Sequence, residues 1–576
     1  DESKFEEKQL PPKHEFYNDL QKEDISNEDF EHACRVFQEL KISNLGEYSD
    51  LYLKTDVLLL TDVFENFREI CLRDYNLDPA HFYSAPGLSF SAMLRMTNVE
   101  LELLTDVDQL NMFERGVRGG FSQVSHRHAV ANNYYMKDYD PTKPVSYISY
   151  LDANNLYGWA MMQKLPMRDF RFLDEREISQ FNINDVDVEG EKGYLIECDL
   201  HYDISLHDSH QDLPLAPEKR KIGEDELSPF ATHLWRQLNG EHCKMTNVEK
   251  LVTSLDDKDH YILHIRNLQL YVSLGLTIKK VHRVLEFYQE AWLKPYIDFN
   301  TAKRALAKTE FEKSFYKILN CSVFGKLLEN QKKYKDIKLV SSEKRLNTLI
   351  AKPTYSSRKI FNESLVGVQF KRVKISITKP IYAGQAVLDI SKCQMYDFWY
   401  NHLRAKYAEK IVLLMTDTDS LLFHVETNNI FTDMHENAHL YDTSDYSRNN
   451  FFHSDDNKKV PGIFKSETGT KIITRFTGLR SKMYAFTLDG EEKATKRAKG
   501  ISRAVVDKVM RYKMFEDTLL ENKEIRSEMD TIRSRSHELY VLKVCKKSLS
   551  CFDTKRFLLN SIESLPYGHY ACDLYF

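Results

Sequence analysis

No apolar run in this 576-residue chain approaches the length of a membrane span, and the longest candidates are interrupted by Asp or Lys. A bilayer-crossing helix is therefore not expected, nor is a membrane partner. The first residues, Asp1-Glu-Ser-Lys-Phe-Glu-Glu-Lys8, hold neither a basic stretch nor an apolar one, so they do not read as a secretory leader. An initiator Met is missing too, and the chain reads as a fragment that begins inside a longer protein. Cysteine is unpatterned. Nine residues are scattered with no C-x-x-C pair, which argues against a zinc site or a disulfide framework and fits reduced thiols. There is no internal repeat and no long low-complexity tract.

What is present is ordinary for a globular protein: 42% hydrophobic and 29% charged residues, which argues against disorder. At roughly 150 residues per domain the length suggests about three or four units. The formal net charge of −6 does not exclude a nucleic-acid partner, because a large enzyme can hold DNA in one basic channel and be acidic elsewhere. Acidic residues crowd the first forty positions, whereas Lys465 to Arg556 carries several Lys/Arg clusters.

Periodicity predicts helices over Asn27–Leu40, with Phe30, Ala33, Phe37 and Leu40 at helical spacing, and over Tyr52–Leu72, with Leu53, Val57, Leu60, Val63 and Phe64 on one side. Val145–Leu151 reads as a short strand ending at Asp152. Asp174 to Asp256 is polar, loop-rich and interspersed with short strands, like an insertion. Phe287 to Glu329 reads as mainly helical. Ile411–Val425 reads as strand–turn–strand about Asp417-Thr-Asp-Ser420.

Two of these features carry chemistry. Asp152 follows a strand directly, and Asp417 and Asp419 occupy a tight turn between apolar strands. Strand ends hold carboxylates to the tolerance a metal needs. Two such carboxylates side by side suit two Mg²⁺ ions that stabilise the attacking and leaving oxygens of an in-line displacement. The plainer reading of D-x-D is a solvated turn. The second feature is a helix in which Lys313, Lys317, Asn320 and Phe324 share a face by i, i+3 and i+4 spacing, with Arg304 and Lys308 extending the stripe. Ammonium groups neutralise a triphosphate and an aromatic ring stacks on a base. The plainer reading is an amphipathic helix with solvated lysines.

In this order, the strand–Asp152-x-x-x-Leu-Tyr157 element, the Lys-rich helix ending in Phe324-Gly-Lys326 and the Asp417-Thr-Asp-Ser420 hairpin resemble motifs A, B and C of family B DNA polymerases. Val117-Arg-Gly-Gly120-Phe is similar to that family's template-contacting Tyr-x-Gly-Gly element. Lys482-Met-Tyr484 resembles its primer-gripping Lys-x-Tyr motif, and Tyr52-Leu-Lys-Thr-Asp56 its third exonuclease motif. Phe324-Gly-Lys-Leu-Leu-Glu-Asn330 and Lys379-Pro-Ile-Tyr-Ala-Gly384 look typical of the protein-primed branch, Polinton/Maverick-like and of organellar and viral type B.

The resemblance implies roles. Asp152 and Asp417 would bind the metal ions with the Ala153 carbonyl as a third contact, Mn²⁺ being an alternative to Mg²⁺, and Asp419 would support the site. Tyr157 would exclude a 2′-hydroxyl by a built-in clash; its plainer reading is a core tyrosine. Lys313 and Lys317 would hold the incoming dNTP, with Asn320 and Phe324 beside them. Arg118, Gly119 and Gly120 would touch the template. Lys482 and Tyr484 would grip the primer, and Lys496, Arg497 and Lys499 would touch backbone phosphates from a thumb, a contact that gives affinity without sequence information. A solvated basic loop is the alternative there. Cys321 stands where Asn is usual, Phe324 where Tyr is usual, and Asn155 where Ser is common.

The expected fold is α+β: a right-hand polymerase with an antiparallel palm sheet, helical fingers and a thumb, preceded by a truncated RNase H-like exonuclease domain. The expected divisions are 1–95 for the exonuclease remnant with Tyr52 and Asp56, 96–144 for a linker carrying the Arg-Gly-Gly loop, and 145–200 for the first part of the palm. An insertion placed to meet a priming protein spans 201–286, fingers 287–330, a second insertion 331–370, the rest of the palm 371–481 and the thumb 482–576. The implied partners are a DNA primer-template, dNTPs and a terminal protein as primer, in an intracellular setting, the nucleus before other compartments. Too little chain precedes Tyr52 for the first two exonuclease motifs, so no proofreading is expected. The expected task is replication of a mobile-element or virus-like DNA. An RNA-templated polymerase and a non-catalytic DNA-binding relic are the alternatives.

Overall fold

The computed structural model describes residues 2–240, 242–245, 248–535 and 538–575. Its centre is an antiparallel sheet. Across it run Ser122–Val124, Ile411–Asp417, Ser420–Glu426, Ser146–Ala153, Ile473–Arg480, Met483–Leu488 and Thr495–Ala498. The two strands predicted around the aspartates are therefore neighbours. Their register pairs Ser420 with Asp152 and Glu426 with Ser146, so the hairpin turn and the end of the Asp152 strand meet at one edge.

Alternation explains the packing. Tyr147 and Leu151 point to one face, where they join Leu413, Leu421, Phe423, Tyr396 and Trp399 in a single buried cluster. Ile148 points to the other face, with Met415, Leu422, Phe476 and Phe486. The helix Ile381–Asp397 lies under the first face, with 13 of its residues buried. Gly384 lets it approach the fingers, since a Cβ there would lie 2.5 Å from Leu328.

A second sheet orders Leu165–Phe172, Thr277–Glu290, Lys192–His201 and Lys258–His264. It corrects two expectations. Within the stretch read as a loop-rich insertion with short strands, Lys192–His201 is a full 10-residue strand paired on both sides. The predicted fingers start, Phe287, is still in a strand, because Val284, Leu285 and Phe287 are buried in the middle of this sheet; the helices begin at Lys294. They run Lys294–Leu306 and Glu310–Leu327, the latter opened by a capping box between Thr309 and Glu312. Beyond them Asp336–Val340, Leu365–Phe370 and Tyr355–Asn362 form a small sheet with its own core of Val340, Leu349, Val368 and Phe370.

A third correction concerns position 482. The central sheet does not stop there, because Lys482 takes a left-handed φ of 60° in the tight turn joining Ile473–Arg480 to Met483–Leu488. Lys482, Tyr484, Lys496 and Lys499 thus belong to the central sheet or its edge. The part that stands apart is the long hairpin Glu524–Arg535 and Glu538–Ser550.

The helices predicted near the start form as Asn27–Glu39 and Leu45–Tyr75. The apolar side of the second is exposed: Leu53 is 61%, Val57 52% and Leu60 68% accessible. The buried residues of this helix, Ile70, Cys71 and Tyr75, lie at its far end, while its start is tied to the preceding segment by Leu45 N–H donating to the Glu7 carbonyl at 2.9 Å. Among the described residues no helix is long and apolar enough to cross a membrane.

Candidate active site

The Asp417 turn is welded to the Asp152 strand by backbone. Ala153 N–H donates to the Asp419 carbonyl at 2.7 Å, and Asp419 N–H donates to the Asp417 carbonyl at 2.8 Å. Thr418 takes a left-handed φ of 65°, and its N–H donates to the Phe121 carbonyl at 2.9 Å. Gly120 lies against that turn; a Cβ there would come within 2.4 Å of the Thr418 side chain, so the Arg-Gly-Gly element needs its second glycine.

The three aspartates line one cleft of about 690 Å³ with Tyr150, Ser420, Lys482, Tyr484 and the Lys496–Lys499 strand end. Burial first, then the charges of Asp419 and Glu467, push the Asp152 carboxyl up to about 8, against the opposing pull of Lys317 and Lys465. Asp419 is raised as well, by burial and then by Asp417. Lys482 extends its ammonium to 2.7 Å from Asp417 Oδ1 and 2.9 Å from Oδ2.

Among the described residues no three acid, His or Cys side chains converge closely enough to hold an ion as they stand. The donor set nevertheless fits a divalent cation. Carboxylate oxygens are what Mg²⁺ takes, burial and the neighbouring acids raise Asp152 despite Lys317 and Lys465, and the Lys482 ammonium stands in as a cation on Asp417.

Tyr157 lies between Phe324 and the Asp417 turn, near Asp419. Its ring stacks on Phe324 at 4.3 Å with a 26° tilt, and the Gly120 N–H reaches its hydroxyl. Burial, then Asp419, lifts that hydroxyl to about 12, so it stays neutral. Asn155, in place of the usual Ser, takes φ 42° at the start of the short helix Leu156–Met161.

Several expected contacts fall elsewhere. Lys317 is exposed and its charge reaches Asp152 and Cys321. Lys313, by contrast, is paired with Glu310 at 2.6 Å. Asn320 is 3% exposed, accepts from Asn300 Nδ2 at 2.9 Å and reaches Thr301, so it ties two helices together rather than facing a base. The residue on the Lys317 face is Cys321, one i, i+4 step away. Arg118 is turned inward, donating to the Ile262 carbonyl at 2.7 Å with its guanidinium 3.8 Å from the Tyr261 ring centre. Gly119 and Gly120 beside it are exposed. Tyr484 is 6% exposed and its hydroxyl meets that of Tyr150 at 3.1 Å. Lys496 donates to the Met510 carbonyl at 2.8 Å, which commits its ammonium to the fold, whereas Lys499 is exposed. Tyr52 and Asp56 are exposed on the first long helix.

Sequence reading missed Glu467 and Lys465, whose charges act on Asp152. Lys465 is opposite Asp152 in the adjoining strand Phe464–Ser466. It also missed Lys459, which joins Arg304, Lys313 and Lys465 in a cationic group. Nothing local marks these residues; only strand register and loop return bring them in.

The profile of the family described as DNA polymerase type B, organellar and viral, matches residues 12–404. The chain belongs to this family. It is a DNA-directed DNA polymerase by family, and divalent-metal dependence is general to such enzymes. The matched span holds the Asp152 strand and the Lys317 helix and stops short of Asp417, whose place in the type B site rests on the register just described. Among solved structures, the orthorhombic crystal form of Phi29 DNA polymerase is similar at a TM-score of 0.50 and 13% identity, over 81% of this chain and 68% of that one. That likeness supports the right-hand fold. Phi29 DNA polymerase with primer-template DNA and incoming nucleotides matches at 0.46 and 14%, over 81% and 68%. Phi29 DNA polymerase with single-stranded DNA matches at 0.46 and 13%, over 84% and 70%. No curated protein sequence matches the chain.

Proposed function

We propose that this type B polymerase extends a 3′-hydroxyl on a DNA primer-template with dNTPs, and that the Asp152–Asp417 edge is where it does so. The observation that carries the reading is the weld between Ala153 and the Asp419 carbonyl, which fixes half-buried acids from two strands in one cleft. Asp152 and Asp417 would hold two Mg²⁺ ions, or Mn²⁺, with the Ala153 carbonyl beside them and Asp419 in support. Bound there, the ions would supply Lewis-acid stabilisation of the attacking and leaving oxygens.

The chain's own residues do the positioning. Lys317, with Arg304 and Lys459 near it, neutralises the triphosphate as the 3′-oxygen bonds to the α-phosphorus and pyrophosphate leaves. The hydroxyl proton departs to solvent or a neighbouring base. Tyr157, backed by Phe324, occupies the space a 2′-hydroxyl would need. Lys482, paired with Asp417 in this structure, would grip the primer strand. The small sheet after the fingers supports a DNA-facing role, since 331–370 holds nine Lys and Arg against three acids.

Priming from a protein hydroxyl fits the Polinton-like phrases, and replication of a mobile element or viral-like DNA follows from it. The exposed Asp56 helix supports no editing by this stretch. The test is Mg²⁺-dependent primer extension by the wild type and Asp152→Asn on DNA and RNA templates. Extension confined to the wild type on DNA is expected. Equal extension by Asp152→Asn removes the two-metal assignment, and preference for RNA removes the DNA-templated one.

A further inference from the structure

The segment after the long hairpin returns to the palm. Arg556 is fully buried there, donating to Ser564 Oγ at 2.8 Å and to the Gln211 carbonyl at 3.0 Å. Ser564 Oγ in turn donates to the Ser125 carbonyl at 2.7 Å. These contacts anchor the segment beside the short edge strand Ser122–Val124. Lys555, between them, points the other way. Its ammonium donates to the Ser122 carbonyl at 2.5 Å.

Ser122 is a junction. It is opposite Asp417 in the ladder. Its hydroxyl accepts from Ser481 Oγ at 2.7 Å, one residue before Lys482. Lys482 is the residue whose ammonium stands 2.7 Å from Asp417. A cation from the C-terminal segment thus holds a residue that touches both the Asp417 strand and the Lys482 turn. Burial lowers the Lys555 ammonium below the usual lysine value; Asp553 and Asp417 act against that shift, and Lys250 and Lys482 with it.

We propose that Lys555 is a positioning residue for the primer terminus, holding Ser122 so that Asp417 and Lys482 present one fixed geometry to the 3′ end. The proposal rests on the polymerase reading above. A tie that merely docks the C-terminal segment would serve stability and treat primer and nucleotide alike. A positioning role separates the two.

The test uses the whole 576-residue chain as wild type, Lys555→Ala and Lys555→Arg. Primer-template affinity is read by fluorescence anisotropy without added metal, and KM is read separately for primer-template and dNTP. Lys555→Ala is expected to weaken primer-template binding and raise its KM about tenfold, about 1.4 kcal/mol, with the dNTP KM changed less than about twofold. Lys555→Arg should recover most of the loss, because it keeps the charge and a donor. The melting temperature should move by less than about 2 °C. Unchanged primer affinity, equal rises in both KM values, or no recovery by Arg would each overturn the proposal. If Lys555→Ala does not fold, Lys555→Met, which keeps the stem, is read against the same outcomes. A wild-type chain that fails to extend condemns the polymerase reading; a wild type that extends beside an indifferent Lys555→Ala condemns only this one.

Discussion

Asp152 and Asp56 each belong to a motif read from the sequence, and they stand on very different ground. Asp152 ends a strand whose Tyr147 and Leu151 are 1% exposed, with Asp419, Glu467 and Lys317 acting on its carboxyl. Asp56 lies in a 31-residue helix where Leu53, Leu58 and Leu60 are more than half exposed. Both motifs have the right letters at the right spacing. Only the first has a rigid backing and a second element that delivers more charge to the same point. Spacing nominates a site, and packing behind it decides whether carboxylates can be held against their own repulsion.

The contrast is open to attack at several strengths. Asp417→Asn should cut primer extension at least about a thousandfold, roughly 4 kcal/mol of transition-state stabilisation, whereas Asp56→Asn should leave it unchanged. Phe423→Ala, in the buried sheet, should cost about 3–5 kcal/mol of stability in denaturant unfolding. Leu60→Gln on the exposed helix should cost less than about 0.5 kcal/mol, and a comparable loss at both positions would erase the distinction. Tyr157→Ala should relax discrimination against ribonucleotides by about ten- to a hundredfold in competitive incorporation.

A smaller effect concerns pH. Asp152 is raised to about 8, so below that value the metal-free site keeps a proton that an ion must displace. The Mg²⁺ concentration for half-maximal extension should therefore fall as pH rises from about 6.5 to 8. The same sign applies to folding. A raised carboxyl loses stability as pH climbs from its unfolded value of about 3.9 towards 8. Asp152→Asn should accordingly melt slightly higher at neutral pH, by about 2 °C after allowing for screening by water, while losing extension.

The sequence made the central strands readable because apolar alternation and a D-x-D turn are local signals. The order of three motifs then made the right-hand fold readable. What stayed hidden was set by direction and return. Asn320 and Cys321 are adjacent, yet one turn of about 100° per residue sends the first inward and the second to the cleft. Arg118 and Lys496 read as DNA contacts, but carbonyls of Ile262 and Met510 claim them. Glu467 and Lys555 carry no motif at all; strand pairing and a returning C-terminal segment put them beside the aspartates. The 287 and 482 boundaries failed for a related reason, since strands that complete a sheet begin or end where pairing does.

The most direct measurement sets the two motifs side by side in one purified chain: Mg²⁺-dependent extension of a DNA primer and excision of a mismatched 3′ end, by wild type, Asp417→Asn and Asp56→Asn. The account predicts extension by wild type and Asp56→Asn, none by Asp417→Asn, and excision by none of them. Extension that survives Asp417→Asn, or excision that disappears with Asp56→Asn, would contradict it.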